Sequence, residues 1–226
     1  MKIDSKYKAI GFDMDGTLVD TKINYDDLNR AEFDTLVSLG VPVKEINVTE
    51  STDVVIRQSI EYFRTIGKEY TFSQIEYLIN KRAEDIEMRA VCTANCFSGT
   101  IELLRRIKSA RYLIGLLTRG QRKYVESVMK KCEIIGYMDA IDTFDDHPVG
   151  YQKPNPIAMD FLAHKLGVSV REILYIGDNV WDYYCAKDAG AGFIGVASGR
   201  YGRTKWDALD EDVTVVDSVT SLIDLF

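Results

Sequence analysis

The chain has 226 residues, of which 46% are hydrophobic and 28% charged, and its formal net charge at pH 7 is −7. This composition is ordinary for a globular protein, and the length suits one large domain or a main domain with an insert. The basic residues form no stripe, so we expect no nucleic-acid partner. No apolar run resembles a signal peptide or reaches membrane-spanning length, so we expect a cytoplasmic protein with no membrane partner.

The chain contains four cysteines: Cys92, Cys96, Cys132 and Cys185. They form no Cys-x-x-Cys pair, and only His147 and His164 could complete a zinc site with them. Cys92 and Cys96 are four residues apart, a spacing that would place both on one face of a helix. We interpret the cysteines as buried thiols in a reducing compartment rather than as a metal or redox site.

The first predicted element is a strand over residues 7–13, whose apolar residues lead directly into Asp13. Asp15 follows after one residue, and Gly16 then supplies a turn, because glycine tolerates backbone angles that other residues avoid. This stretch predicts a buried strand that delivers two acids to its carboxyl end.

Residues 23–95 have a helical pattern. Apolar residues at helical spacing predict one amphipathic helix ending at Gly40 and a second ending at Gly67. Thr71 and Gln74 have capping-box spacing and begin a third helix. We predict no strand in this region. Because connections longer than about 15 residues rarely lack structure of their own, the segment is interpreted as an inserted helical domain.

Strands and helices alternate through the rest of the chain. The predicted strands lie at 112–118, 140–144, 172–177, 192–196 and 214–216. The predicted helices lie at 101–107, 121–132, 156–166, 180–189 and 219–226. Such alternation produces β-α-β units. The predicted fold class is therefore α/β, with a doubly wound parallel sheet.

Several polar residues lie at the carboxyl ends of these strands, where open parallel sheets bind their ligands. Asp13 and Asp15 follow the first strand, Thr118 and Asp178 follow two others, and Lys153 lies in a loop after a further strand. Acids, a hydroxyl and a lysine suit a phosphate group and a divalent cation, since magnesium prefers carboxylate oxygens together with water and phosphate.

Each residue alone also has a structural explanation. The two acids after the first strand could cap its end, and Thr118 could cap the following helix. Lys153 could be a solvated lysine, and Asp178 and Asp182 could cap the helix that follows them.

Two further residues near these positions have open roles. Arg119 could approach a phosphate or serve the surface, and the sequence does not separate these roles. His147 precedes a proline, a context that favours a structural role in a loop over a catalytic one.

The residues at these strand ends resemble the four motifs of the haloacid dehalogenase superfamily. The motifs are the segments Asp13–Asp20, Thr118, Lys153–Pro156 and Gly177–Asp182, in the order and spacing of that family. Ala186–Gly190 is similar to the family's usual continuation of the fourth motif. The helical insert after the first motif resembles the branch that contains phosphoglycolate phosphatases.

The resemblance implies a division of the chain into two domains. A Rossmann-like catalytic core would comprise residues 1–20 and 96–226. An α-helical cap domain would comprise residues 21–95, close over the site and set its specificity.

The resemblance also implies roles for individual residues. Asp13 would be the nucleophile that forms an aspartyl-phosphate. Asp15 would protonate the leaving alcohol and then activate water. Thr118 and Lys153 would bind the phosphoryl oxygens, and Lys153 would also neutralise Asp13.

A magnesium ion, Mg2+, is the cofactor that the resemblance implies. It would be held by the carboxylates of Asp13 and Asp178 and by the main-chain carbonyl of Asp15. Asp182 would orient Lys153 or a metal-bound water.

The expected function is a magnesium-dependent phosphatase for a small phosphorylated metabolite. Asp15 favours phosphoester chemistry, since dehalogenases and phosphonate-cleaving members of the family lack an acid at that position. A sugar phosphomutase of the same superfamily is the alternative, followed by a non-catalytic protein that binds a phosphorylated ligand. The sequence does not identify the substrate, the specificity residues or the oligomeric state.

Overall fold

A computed structural model describes residues 3–46, 52–148, 150–199, 202–209 and 212–226. The chain forms two compact units. One comprises Met1–Thr21 and Thr93–Phe226, and the other comprises Lys22–Cys92.

The first unit contains the strands. They are β1 (Ala9–Phe12), β2 (Val19–Asp20), β3 (Asn95–Cys96), β4 (Leu113–Leu117), β5 (Ala140–Asp142), β6 (Ile173–Gly177), β7 (Gly192–Val196) and β8 (Val215–Val216). Six of them form a parallel sheet in the order β5-β4-β1-β6-β7-β8. The remaining two, β2 and β3, pair with each other in antiparallel fashion.

The α-helices are distributed over both units. The second unit contains α1 (Tyr25–Leu39), α2 (Thr52–Thr65) and α3 (Phe72–Ala90), and the first contains α4 (Thr100–Ser109), α5 (Arg122–Lys131), α6 (Ile157–Leu166), α7 (Val180–Ala189) and α8 (Gly202–Asp207). Short 3₁₀ segments lie at Val43–Glu45, Ile135–Tyr137, Phe144–Asp146, Val170–Glu172 and Val219–Leu225.

The strand order confirms the predicted α/β fold. From β1 the chain adds β4 and β5 on one side, then returns to add β6, β7 and β8 on the other. The direction of winding therefore reverses beside β1. In doubly wound sheets the carboxyl ends of the strands at such a reversal form the crevice that binds a ligand.

Two glycines on neighbouring strands allow α6 to pack closely on the sheet. Gly11 of β1 and Gly115 of β4 are register partners. A Cβ atom at Gly115 would lie 2.9 Å from Leu162 Cδ1, and one at Gly11 would lie 3.3 Å from Leu162 Cδ2. Leu162 is fully buried and fills the space that the two missing side chains leave. This contact fixes α6, and with it the preceding loop that carries Lys153.

The second unit has its own hydrophobic core, formed by apolar side chains that include Leu36, Phe63 and Ile75. The helix predicted to end at Gly40 does so, with this residue at φ 105°. The capping box predicted at Thr71 and Gln74 is also present. Among the described residues, no helix is both long and apolar enough to cross a membrane.

Several sequence-based boundaries were wrong. The strand predicted at 140–144 ends at Asp142, because Thr143 caps a 3₁₀ segment with its partner Asp146. The last residues form a 3₁₀ segment rather than an α-helix. The pair β2 and β3 and the helix α8 were not predicted, and β3 begins at Asn95, inside the segment expected to lack strands.

The interpretation of the cysteines is correct only in part. All four are reduced thiols, and Cys132 and Cys185 are buried, whereas Cys92 is exposed. Cys92 and Cys96 do not share a helix face, because α3 ends at Ala90 and Cys96 lies in β3.

Shortening Leu162 tests the packing of α6. We expect Leu162→Ala to lower the free energy of unfolding by about 2–5 kcal/mol, because it removes buried methyl groups and leaves a cavity over the two glycines. His164→Ala on the exposed face of the same helix should change it by about 0.5 kcal/mol or less. Urea denaturation of both variants measures the difference, and equal stabilities would contradict this account of the packing.

Candidate active site

Asp13 lies at the carboxyl end of β1, in the middle of the sheet. Its backbone N–H donates to the carbonyl of Ile176 on β6 at 2.9 Å, and its side chain is buried. The chain then reverses in a tight turn, in which Gly16 has φ 85° and donates its N–H to Val19 at 2.8 Å. The positive φ explains the glycine in the sequence. Asp13 and Asp15 therefore lie between the end of β1 and a hydrogen-bonded turn.

Lys153 reaches Asp13 from the loop before α6. Its Nζ donates to Asp13 Oδ1 at 2.7 Å and to Asp182 Oδ1 at 2.6 Å. The side-chain exposures of Lys153, Asp13 and Asp182 are 4%, 10% and 2%. Nζ also donates to the hydroxyl of Tyr175 at 3.0 Å, and this hydroxyl donates to the carbonyl of Leu117 at 2.7 Å. All three ammonium hydrogens of Lys153 are thus directed within the protein interior.

Asp182 is itself held by the start of α7. Its Oδ2 accepts the backbone N–H of Asn179 at 3.0 Å, as part of a capping box. Its Oδ1 accepts from Lys153. Since each oxygen has a protein donor, the carboxylate is fixed and in turn fixes the lysine. The same side chain therefore caps α7 and binds Lys153.

Three buried carboxylates come together around this lysine. Oxygens of Asp13, Asp178 and Asp182 lie within 4.8 Å of one another. The main chain closes around Asp178, since a Cβ atom at Gly16 or Gly199 would lie only 2.5 or 1.9 Å from its Oδ2. With Asp182 engaged by Lys153 and Asn179, the cluster offers the carboxylates of Asp13 and Asp178 to a cation. Such a donor set fits a hard divalent ion.

The electrostatics of the cluster favour additional positive charge. Burial raises the pKa of the Asp13 carboxyl well above its usual range; Lys153 opposes this shift, and Asp182 and Asp178 add to it. Burial would lower the pKa of Lys153, but Asp13 and Asp182 outweigh it and raise the pKa above the ordinary lysine value. One lysine therefore does not balance the carboxylates, and a cation beside them would lower the pKa of Asp13.

Asp15 has different neighbours from Asp13. Its Oδ1 accepts hydrogen bonds from the hydroxyl of Thr21 and, at 2.6 Å, from the hydroxyl of Tyr124. Burial raises the pKa of the Asp15 carboxyl, and these two hydrogen bonds oppose that shift. A raised pKa favours the protonated form that a general acid needs.

Thr118 directly follows β4, the strand beside β1. Its backbone N–H donates to the carbonyl of Asp142 at 3.0 Å, and its Oγ1 accepts the N–H of Gly120 at 3.1 Å. The side chain is buried. Because a hydroxyl that accepts still carries one hydrogen, Thr118 can donate to an anion at this edge of the sheet.

The two residues with open roles have structural contacts. The ring of His147 stacks on Phe161 at 3.6 Å, and its Nε2 lies 3.0 Å from Asp142 Oδ2. These contacts support the structural interpretation of His147. The guanidinium of Arg119 lies 4.3 Å from the centre of the Trp181 ring, at the start of α7.

Comparison with known proteins identifies the family. The model of the haloacid dehalogenase-like hydrolases matches residues 10–196, well over half of the chain. The chain belongs to this family. The resemblance stated from the motifs is therefore confirmed.

Individual relatives support the same assignment. Phosphoglycolate phosphatase of Vibrio vulnificus strain CMCP6 is 28% identical over 224 residues, which cover 96% of this chain and 95% of that protein. The crystal structure of a hydrolase from Pseudomonas syringae is 25% identical, covers 96% of both chains and has a TM-score of 0.66. A Thermotoga maritima protein provisionally assigned as a beta-phosphoglucomutase is 20% identical, covers 96% of this chain and 97% of that one, and has a TM-score of 0.58. This last likeness shows the fold alone.

Sequence reasoning missed three residues of this haloacid dehalogenase-like site. Tyr175 and Tyr124 are fully buried aromatic residues on β6 and α5, and in the sequence nothing distinguishes them from core residues. Gly199, which lies against Asp178, follows β7 outside the four motifs.

Removing Lys153 tests its place among the carboxylates. We expect Lys153→Met to lower the free energy of unfolding at pH 7 by about 3–5 kcal/mol, because Asp13 and Asp182 lose their buried cationic partner. The control is Lys130→Met, which removes an exposed ion pair with Glu126 and should cost about 1 kcal/mol or less. Urea denaturation in the presence of a chelator measures both, and a Lys153→Met protein as stable as the control would refute the prediction.

Proposed function

We propose that this hydrolase is a Mg2+-dependent phosphatase that cleaves a small phosphorylated metabolite through an aspartyl-phosphate on Asp13. The family and its phosphoglycolate phosphatase relatives support a phosphatase. The observation that carries the proposal is the buried contact of Lys153 with Asp13 and Asp182, beside Asp178. This arrangement combines a carboxylate nucleophile, a fixed cation and oxygen ligands at one point.

The first half-reaction transfers the phosphoryl group to the protein. The Asp13 carboxylate attacks phosphorus, and the bond from phosphorus to the ester oxygen breaks. Asp15 gives its proton to that oxygen, so the alcohol leaves in its neutral form. Thr118 donates to a phosphoryl oxygen, and Lys153 binds another with the hydrogen that it otherwise gives to the Tyr175 hydroxyl. The negative charge of these oxygens requires donors already held in place.

The second half-reaction restores the protein. Asp15, now ionised, takes a proton from a water molecule, whose oxygen attacks phosphorus. The bond between phosphorus and Asp13 breaks, and inorganic phosphate is released. Asp15 ends this step protonated, ready for the next ester.

The cation site would consist of the carboxylates of Asp13 and Asp178 and the main-chain carbonyl of Asp15. When bound, Mg2+ supplies positive charge that offsets the repulsion between a carboxylate and a phosphate. The excess of buried carboxylates over lysine supports this assignment.

The helical segment 21–95 is proposed as the cap domain of this enzyme, and residues 1–20 and 96–226 as its catalytic core. The described helices of Lys22–Cys92 belong to a separate compact unit with its own hydrophobic core, as an inserted domain requires. Its proposed role is to exclude water and to contact the leaving group.

Replacing the nucleophile tests the proposed function. Wild-type protein should release phosphate from p-nitrophenyl phosphate and from at least one member of a panel of phosphorylated metabolites. Phosphoglycolate is tested first, because a relative is named phosphoglycolate phosphatase. Asp13→Asn should reduce the rate by roughly 10³-fold or more, since the amide is a poor nucleophile. The exposed Asp160→Asn on α6 is the matched control and should retain activity.

The outcomes separate the alternatives. No phosphate release from any ester with Mg2+ present would contradict a phosphatase and favour a ligand-binding protein. Isomerisation of a sugar phosphate without free phosphate, followed by NMR of substrate and product, would instead indicate a phosphomutase.

A glycine beside Asp178 provides a test of the metal site. A methyl group at Gly199 would occupy the position of the Asp178 carboxylate, so Gly199→Ala should displace it. We expect the Mg2+ concentration for half-maximal phosphatase activity to rise by about 10-fold or more. Gly136→Ala is the matched control, because a methyl group there would meet no atom within 4 Å. An unchanged Mg2+ requirement in Gly199→Ala would exclude Asp178 as a ligand.

A further inference from the structure

Tyr124 makes a direct hydrogen bond to the proposed acid and base. It lies on α5, its side chain is fully buried, and its hydroxyl donates to Asp15 Oδ1 at 2.6 Å. Its ring packs against the loop after Thr118, since a Cβ atom at Gly120 would lie 3.0 Å from Tyr124 Cδ1. The ring is thus held by the loop at Gly120, and the hydroxyl is held by Asp15.

A second hydroxyl reaches the same carboxylate oxygen. Thr21 donates to Asp15 Oδ1, so two donors converge on one of the two oxygens. A carboxyl proton is repelled by donors and therefore resides on the other oxygen, Oδ2. The two hydrogen bonds thus decide which oxygen carries the proton and where that oxygen points.

We propose that Tyr124 is a positioning residue for proton transfer, whose hydroxyl orients Asp15 so that Oδ2 delivers the proton to the leaving oxygen. This inference rests on the proposed phosphatase function. No bond to Tyr124 forms or breaks during the reaction. Its contribution is to keep the proton-carrying oxygen in one orientation through both half-reactions.

A purely structural role for Tyr124 has different consequences. If the ring only fills space, removal of the hydroxyl has no effect on the reaction rate or slows the hydrolysis of every substrate by the same factor. If the hydroxyl orients Asp15, its loss slows only those reactions in which the leaving oxygen needs a proton. Alkoxide leaving groups need that proton, whereas p-nitrophenolate leaves without it.

The test compares kcat/KM of Tyr124→Phe for an alkyl phosphate and for p-nitrophenyl phosphate. This parameter reports the steps up to departure of the leaving group, before water attacks the aspartyl-phosphate. We expect kcat/KM for the alkyl ester to fall by about 3- to 10-fold, the loss of one hydrogen bond, and that for the aryl ester to stay within about twofold. The phenylalanine keeps the ring contact with Gly120.

A double variant tests whether Tyr124 acts through Asp15. Asp15→Asn should show the same preference for the aryl ester, with a larger loss on the alkyl ester. Adding Tyr124→Phe to Asp15→Asn should cause no further loss, because the group to be oriented has gone. Tyr112→Phe, whose ring contacts Phe226 at the other end of β4, is the matched control and should behave as wild type.

Each outcome bears on a defined claim. Equal losses on both esters in Tyr124→Phe, no loss on either, or additive losses in the double variant would overturn the positioning role while leaving the phosphatase intact. A wild-type protein that hydrolyses neither ester would overturn the proposed function, and this inference with it.

Discussion

The buried ammonium group of Lys153 is the point on which the site depends. It contacts Asp13 at the end of β1, Asp182 at the start of α7 and Tyr175 on β6. Ion pairs removed from water gain little net stability, because desolvation offsets much of their attraction, but losing one partner leaves a charge buried without compensation. The positions of β1, α7 and β6 are therefore linked through this one ammonium group.

The winding of the sheet explains why these residues meet. β1 lies between β4 and β6, at the reversal of strand order, so segments from both halves of the sheet end beside Asp13. Thr118 arrives from one side, and Asp178 from the other. Lys153 arrives from outside the strands, in a loop whose position follows from the packing of Leu162 on glycines of β1 and β4. Close packing of one helix thus places the lysine that the acids require.

The sequence predicted the helices and strands whose apolar pattern repeats, and the site residues that belong to ordered motifs. Alternating apolar segments gave the α/β fold, and the motifs gave Asp13, Lys153, Asp178 and Asp182, whose side chains the structure brings together. It did not predict β2 and β3, because two residues are too short for any periodicity. Nor did it predict Tyr124, because a buried tyrosine fits the apolar pattern of α5 whether or not its hydroxyl has a role.

The two acids of the first motif differ because their surroundings differ. Asp13 contacts a cation and lies among other carboxylates, whereas the oxygen Oδ1 of Asp15 is bound by the neutral hydroxyls of Thr21 and Tyr124. The positive charge of Lys153 opposes the rise that burial causes in the pKa of Asp13, whereas burial raises the pKa of Asp15 and only hydrogen bonds and the more distant lysine oppose it. In the proposed mechanism, two acids separated by one residue would owe their separate tasks to these contacts. The proposed division of labour would therefore depend on α5 and the Lys153 loop as much as on the motif itself.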